Sequence, residues 1–253
     1  MPVYLEWFQL SGVGFVTQEI QKMYPKEGGG DVARRLSIAL VGYFDALYPG
    51  AGFLAQQAAE QFLPNPIERR KQAFFEYLVD SLETLQGRLD GVSVETIVTD
   101  EQFVTAMLEC APRAIKADRE AKRQRFADVA LNVAAGRTVH EALRGRFINL
   151  VDQFSEEHIH VLRVLANPYG YSELREYGGQ LSGPTFQVIQ RQLNADGIAA
   201  DVQHVIYVDL QQERLTPGAG AALGGGSNFS NDNLTDLGKA FLRFIDRPIE
   251  LYE

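Results

Sequence analysis

Apolar residues recur every three or four positions over much of the chain, and this spacing predicts amphipathic α-helices. The spacing is present from Asp31 to Tyr48, from residue 67 to Gly91 and, with breaks, from residue 99 to Phe154. The first thirty residues mix aromatic side chains with glycines and carry no such pattern. The sequence therefore predicts a helical domain over residues 1–154, with an irregular start over residues 1–30.

The pattern changes near residue 155. Helical spacing continues there in three shorter stretches, the last of which ends near residue 196. Val202 to Leu210 then alternates and is rich in Val, Ile and Tyr, which is typical of a β-strand. After a glycine-rich stretch, Leu234 begins a last amphipathic helix. This order of elements predicts a second domain over residues 155–253 that contains a small β-hairpin.

Two short motifs in this second region resemble motifs of winged-helix regulators. One is a leucine followed four residues later by Gly-Ile, at Leu193 to Ile198, and the other is Leu-Thr-Asp-Leu-Gly at Leu234 to Gly238. The resemblance implies a mainly α fold, in which an N-terminal helical bundle is followed by a C-terminal winged-helix-like domain with a small β-hairpin. The helical part resembles uncharacterised bacterial proteins.

The resemblance makes residues 184–196 the recognition helix, which would enter a DNA major groove by its polar face. That face would offer side chains that pair with base edges, namely Gln187, Gln190, Arg191 and Asn194. Residues 155–253, however, carry seven basic and thirteen acidic side chains. Because DNA binding needs phosphate contacts from Lys and Arg, this balance favours a protein-contact or structural role.

The whole chain is acidic, with 24 Lys and Arg against 33 Asp and Glu and a formal net charge of −9. This charge argues against broad attraction to nucleic acid. Basic residues are concentrated between Arg113 and Arg125, where six stand against two acidic ones. A solvated helical arm is the first interpretation, and a phosphate-binding surface is the alternative. The candidate phosphate contacts are Lys116, Arg119, Lys122 and Arg123.

Side chains with reactive or metal-binding groups are few. Cys110 is the single cysteine, which excludes an internal disulfide, and its apolar neighbours predict that it packs in a core. His158 and His160 lie two positions apart and would point in different directions on a helix. No catalytic residue, metal site or cofactor is predicted. The chain start lacks the charged and apolar segments of a secretory signal, so we expect a cytoplasmic location.

The segment from Leu36 to Leu63 is rich in apolar and small residues and could form a membrane-inserting hairpin. Neither limb reaches the roughly 20 apolar residues that a spanning helix needs, and Asp45 and Glu60 interrupt them. Burial against the rest of the helical domain is the favoured interpretation, and we do not expect a membrane partner.

Three functional hypotheses follow. The leading one is a non-enzymatic intracellular regulatory or adaptor protein that acts through protein–protein contacts, including self-association. The alternative is a DNA-binding winged-helix regulator. The second alternative is a membrane-active effector that uses residues 36–63.

Overall fold

A computed structural model describes residues 66–88, 96–97, 100–177, 185–217 and 233–248 of the chain. All the regular secondary structure within these ranges is helical, so the predicted mainly α class is confirmed. The predicted elements over residues 1–63 lie outside the described residues. The α-helices, labelled in chain order, are α1 (Pro66–Arg88), α2 (Glu101–Lys116), α3 (Glu120–Ala134), α4 (Glu141–Gln153), α5 (Glu156–Ala166), α6 (Ser172–Tyr177), α7 (Thr185–Ala195), α8 (Ala200–Gln212) and α9 (Asp236–Ile245).

The described residues belong to two compact units. The first comprises the described residues up to Thr138 together with Arg247 and Pro248, and the second comprises those between Val139 and Asp246. The sequence predicts a domain boundary between residues 154 and 155, whereas the two units divide between residues 138 and 139. Helix α4 lies between these two positions.

The first unit is built on the apolar faces of α1, α2 and α3. Phe74, Phe103 and Phe126, one from each helix, are fully buried, and burial of large apolar side chains is the main force that holds such helices together. A partly buried hydrogen bond adds to it, because the Tyr77 hydroxyl donates to Asp128 Oδ1 at 2.8 Å. These contacts fix α1 against α3.

The second unit has an aromatic core. Phe147 of α4 lies 5.3 Å from Phe241 and 5.7 Å from Phe244, both of α9, measured between ring centroids. Phe154, at the end of α4, meets the Phe241 ring edge to face at 6.0 Å. Aromatic pairs in such geometries contribute beyond the area they bury. The last helix is therefore anchored on α4.

The predicted strand from Val202 to Leu210 is wrong, and so are the β-hairpin and the winged-helix wing that were built on it. These residues lie inside α8, and no strand occurs in the described residues. The inward face of α8 has helical spacing, with Gln203, Ile206 and Leu210 buried. Valines on the opposite face produced the alternation that favoured a strand. Tertiary packing thus overrides the β-propensity of this stretch.

The Leu193-to-Ile198 motif is a helix C-terminal cap. Gly197 has a φ of +79°, a left-handed conformation that costs glycine little. The Ile198 N–H donates to the Leu193 carbonyl at 3.0 Å, and the Gly197 N–H donates to the Asn194 carbonyl at 3.1 Å. This pair of bonds is the Schellman arrangement that ends many helices of any fold. The motif therefore reports the end of α7 and carries no information about a wing.

The Leu234-to-Gly238 motif is the N-terminal cap of α9, and its backbone lies close to the backbone of Leu215. Thr235 Oγ1 accepts a hydrogen bond from the Gly238 N–H at 3.0 Å, which satisfies an otherwise unpaired donor at the start of α9. The Thr235 N–H donates to the Leu215 carbonyl at 3.0 Å. A Cβ placed on Gly238 would lie 2.2 Å from that same carbonyl oxygen. Only glycine allows α9 to start this close to Leu215.

The chain reaches Leu215 through a backbone conformation that is unfavourable for its residue type. Arg214 has a φ of +57°, the left-handed region in which a non-glycine residue costs about 1 kcal/mol. The turn is held by the Leu215 N–H, which donates to the Leu210 carbonyl at 2.9 Å. The end of α8 therefore sets the position of the Leu215 carbonyl.

We expect the Gly238→Ala substitution to destabilise the protein by about 3 kcal/mol, since the added methyl must displace the Leu215 backbone. Gly145→Ala is the matched control, because Gly145 also lies in a helix and a Cβ there would meet nothing within 4 Å. That control should be neutral or more stable by about 0.5–1 kcal/mol. Urea unfolding followed by circular dichroism measures both changes. Equal stability of the two variants would contradict the close contact.

Candidate interaction surfaces

The four side chains predicted to contact bases lie on one side of α7, and Gln187, Arg191 and Asn194 among them are exposed. Arg191 Nε donates to Glu173 Oε2 at 2.7 Å, which pairs it with α6. Asn194 Oδ1 accepts from Gln203 Nε2 at 2.9 Å. Arg191 and Asn194 thus already make hydrogen bonds within the second unit. Arg191, the single arginine of α7, faces an acidic side chain.

Gln203 is a polar residue in the interior between α7 and α8, with no exposed surface. Its Nε2 donates to the Ile198 carbonyl at 2.6 Å as well as to Asn194. Both bonds are made by the amide nitrogen, which ties the end of α7 and the turn after it to the first turn of α8, whereas Gln203 Oε1 is buried without a hydrogen-bond partner among the described residues. Nearby, the Phe186 ring stacks on Tyr207 at 4.7 Å. Burial raises the pKa of the Tyr207 hydroxyl above its ordinary value.

The outward side of α8 carries a row of valines, which we call the valine row: Val202, Val205 and Val208. Residues three apart are neighbours on a helix surface. Val202 is 42% exposed and Val205 is 57% exposed, while Val208 is half-buried. The sequence signal for this surface was present as β-branched residues at every third position, but it was interpreted as part of a strand.

The charge around the valine row is one-sided. Between Ala200 and Gln212, α8 contains Asp201 and Asp209 and no Lys or Arg. The Asp209 side chain is 42% exposed and also faces His158. The outward side of α8 therefore combines an apolar row with an acidic border.

The basic run predicted from the sequence lies where α2 ends and α3 begins. Lys116 is the last residue of α2 and Arg119 directly precedes the first residue of α3, and both are exposed. Lys122 and Arg123 follow in the first turn of α3 and are half-buried. Arg123 Nη1 donates to the Ala117 and Asp118 carbonyls at 3.1 and 2.9 Å.

A residue that sequence reasoning missed joins this run. Arg70 of α1 donates from Nη1 to the Lys116 carbonyl at 3.3 Å, although the two residues are 46 positions apart. No local sequence signal links them, because the contact depends on how α1 packs. We call Arg70, Lys116, Arg119, Lys122 and Arg123 the basic corner. It belongs to the first unit, whereas the base-contact candidates of α7 belong to the second.

His158 is the centre of a Ser–His–Asp arrangement at the start of α5. The Ser155 N–H donates to His158 Nδ1 at 3.2 Å, Ser155 Oγ lies 2.9 Å from the same nitrogen, and Nε2 lies 3.3 Å from Asp209 Oδ2. Because a backbone N–H can only donate, Nδ1 accepts and Nε2 carries the proton. The ring stacks on Phe154 at 4.8 Å. The arrangement caps α5 and connects it to α8.

His160 pairs with a different acid. Its Nε2 lies 2.7 Å from Asp196 Oδ2, so the two histidines of α5 face separate carboxylates, as their spacing predicts. Within the described ranges, no group of three or more His, Cys, Asp and Glu side chains is arranged to hold a metal ion. Cys110 is buried, as predicted.

A small cleft lies between α1 and α3, lined by Phe74, Tyr77 and Arg123 among others. Its volume of about 20 Å³ is sufficient for one water molecule. It is far too small for a drug-sized ligand or a cofactor, which occupy pockets of about 300 Å³ or more.

Comparison of the chain with protein-family models, curated proteins and solved structures finds no match. No helix in the part of the chain that the structure describes is long and apolar enough to cross a membrane. The Leu36–Leu63 segment, on which the membrane-active hypothesis rests, lies outside that part.

We expect Gln203→Met to destabilise the second unit by about 1 kcal/mol, because the loss of the two hydrogen bonds of Nε2 outweighs the removal of the unpartnered Oε1 from the interior. Gln212→Met, at an exposed position of the same helix, controls for the change of residue type and should leave stability within about 0.5 kcal/mol of the parent. Thermal unfolding measured for both variants tests this. A parent-like Gln203→Met protein would show that the α7–α8 turn does not depend on this amide.

Proposed function

We propose that this protein is a non-enzymatic adaptor or regulatory protein that binds another protein through the valine row of α8. The observation that carries the proposal is the exposure of Val202 and Val205 side by side on a well-packed helix. Valine has a lower helix propensity than Lys, Arg, Gln or Glu, so an outward valine row costs stability that those polar residues would not. A partner that covers the row would recover about 1 kcal/mol or more from each side chain.

The chemistry of α8 indicates what the partner presents. A helix that carries an apolar row with Asp201 and Asp209 and no cation complements an apolar strip bordered by Lys or Arg. An amphipathic helix of basic character has this pattern. We therefore infer a cationic, amphipathic partner segment, which a second copy of this chain or a different protein could supply.

Protein contact is better supported than base recognition by α7. Arg191 would have to leave Glu173, and Asn194 would have to give up its bond with Gln203, before either could meet a base edge. The second unit as a whole holds eight basic and thirteen acidic side chains. Such a surface repels phosphate.

A catalytic role for Ser155 and His158 receives less support than a structural one. Both groups take part in the cap of α5, and Phe154 covers one face of the imidazole ring. We also propose a cytoplasmic location, because a chain with one cysteine forms no internal disulfide, which is typical of proteins in a reducing compartment.

The test places a photo-crosslinking phenylalanine analogue at position 205 and, as the control, at exposed Gln153 of α4. In cells that produce the protein, we expect a discrete adduct with a second protein from position 205 and none from position 153. The adduct should fall at least tenfold when Val202 is also changed to Lys, because a cation opposes a cationic partner segment.

Two further measurements complete this test. Val202→Lys and Gln153→Lys add the same charge at exposed sites and should unfold at the same temperature, which shows that a loss of binding in the Val202→Lys background is not a loss of folding. Sedimentation of the purified chain shows whether the partner is a second copy. The proposal is wrong if position 205 gives no adduct above position 153, or if the adduct persists undiminished in the Val202→Lys background.

A further inference from the structure

We propose that the valine row of α8 also pairs with the valine row of a second copy of this chain, in a two-fold antiparallel contact that forms at mildly acidic pH. The inference rests on the exposed row that carries the proposed function, and it names a second occupant of that surface. The order of the residues along α8 leads to it.

The outward side of α8 has the same pattern in both directions. A valine lies three positions before and after Val205, and an aspartate lies four positions before and after it. In a two-fold contact, residue i of one copy meets residue j of the other, and residue j meets residue i. An antiparallel pair centred on Val205 therefore places Val202 against Val208 of the second copy. It also places Asp201 against Asp209 of the second copy at each end of the contact.

The apolar part of this contact is favourable but small. Val205 lies at the two-fold axis, where it meets the same residue of the second copy, and both Val202 and Val205 are exposed in the single chain. Stable complexes bury about 800 Å² from each partner, which is more than three valines supply. We therefore expect a weak dimer, with a dissociation constant on the order of 100 µM.

The aspartates oppose the dimer at neutral pH. Two like charges about 5 Å apart in water weaken an association about fourfold, so the two ends of the contact together weaken the dimer about tenfold or more. The same carboxylates attract the cationic segment of the proposed partner. A neutral solution thus favours that partner, and a loss of negative charge favours the second copy.

His158 makes the charge at each end of the contact depend on pH. Its Nε2 lies 3.3 Å from Asp209 Oδ2. Histidine is the side chain that ordinarily gains its charge between pH 8 and pH 5, and a protonated ring turns this hydrogen bond into an ion pair. Ser155 Oγ, 2.9 Å from Nδ1, can accept a hydrogen bond from the added proton. Acid therefore offsets the charge of Asp209 and lowers the repulsion across the contact.

The helices around His158 and Asp209 carry other charged groups. These are Glu156 and Glu157 of α5, Arg146 of α4 in a pair with Glu213 of α8, and Asp196 of α7 in a pair with His160. α4 meets the imidazole through the ring of Phe154, and α9 contacts that ring through Phe241. Within the described ranges, His158 is the titratable group that lies within hydrogen-bond distance of Asp209.

Sedimentation equilibrium of the purified full chain, from about 20 to 500 µM, measures the dimer at pH values of about 5.5 and 8. We expect a monomer–dimer equilibrium at the lower pH and a dimer about tenfold weaker or more at the higher pH. Val205→Lys places two cations at the two-fold axis and should weaken the acidic dimer about tenfold or more. Gln153→Lys, at an exposed position of α4, is the matched control and should leave it within about twofold of the parent.

Charge reversal tests the antiparallel register at the higher pH. Asp201→Lys places a cation against Asp209 at both ends and should strengthen the dimer about tenfold. Asp201→Lys/Asp209→Lys places cations against cations and should return the dimer to the parent affinity or below, although it removes more negative charge from the chain. A double variant that dimerises more tightly than the single one would overturn the register, because net charge alone would then explain the result.

His158→Gln tests the origin of the pH dependence. Glutamine at this third position of α5 suits the capping box but does not titrate, so the ratio of the two affinities should fall to about threefold or less. His160→Gln removes a histidine from the same helix and should keep the parent ratio, and circular dichroism verifies that all variants fold. Equal ratios in the two variants would overturn the role of His158. Absence of a dimer at the lower pH would overturn this inference alone, whereas the adduct at position 205 decides the proposed function.

Discussion

The position of α9 in the second unit depends on the backbone carbonyl of Leu215. It accepts the Thr235 N–H at 3.0 Å and stands where a side chain on Gly238 would be. Through this contact the end of α8 fixes the start of α9, and α9 in turn carries Phe241 and Phe244 into the aromatic core. Because α8 is held at its far end by the buried Gln203, its outward side is also defined, and the valines must face away from the core.

The sequence predicted much of this architecture correctly, and its errors have a physical cause. Helices were recognisable wherever one face was apolar and the other polar, as in α1 and α4. The spacing failed in α8, since β-branched residues occupy both its inner and outer sides. The two motifs that resemble those of winged helices are helix caps, one at Gly197 and one at Thr235. Caps of these kinds occur in helices of many folds.

The candidate surfaces were predictable to different degrees. Lys116, Arg119, Lys122 and Arg123 were identified because they are close together in sequence, whereas Arg70 reaches them only through the packing of α1. The polar residues of α7 were identified by type, but type does not show that Arg191 already faces Glu173. The valine row was visible as a pattern, and its meaning depended on the choice between helix and strand. The spacing of residues along the chain thus identifies groups that lie close together in sequence. Which residues each group contacts depends on how the helices pack.

The most direct test of the fold and of the valine row is the NMR spectrum of residues 200–212, with a soluble paramagnetic agent added to report exposure. We expect helical Cα shifts without a break from Ala200 to Gln212, with strong broadening of the Val205 methyl signals and little broadening of those of Ile206. Strand-type shifts between Val202 and Leu210 would contradict the helix, and protected Val205 methyl groups in the monomeric protein would contradict the exposed valine row on it.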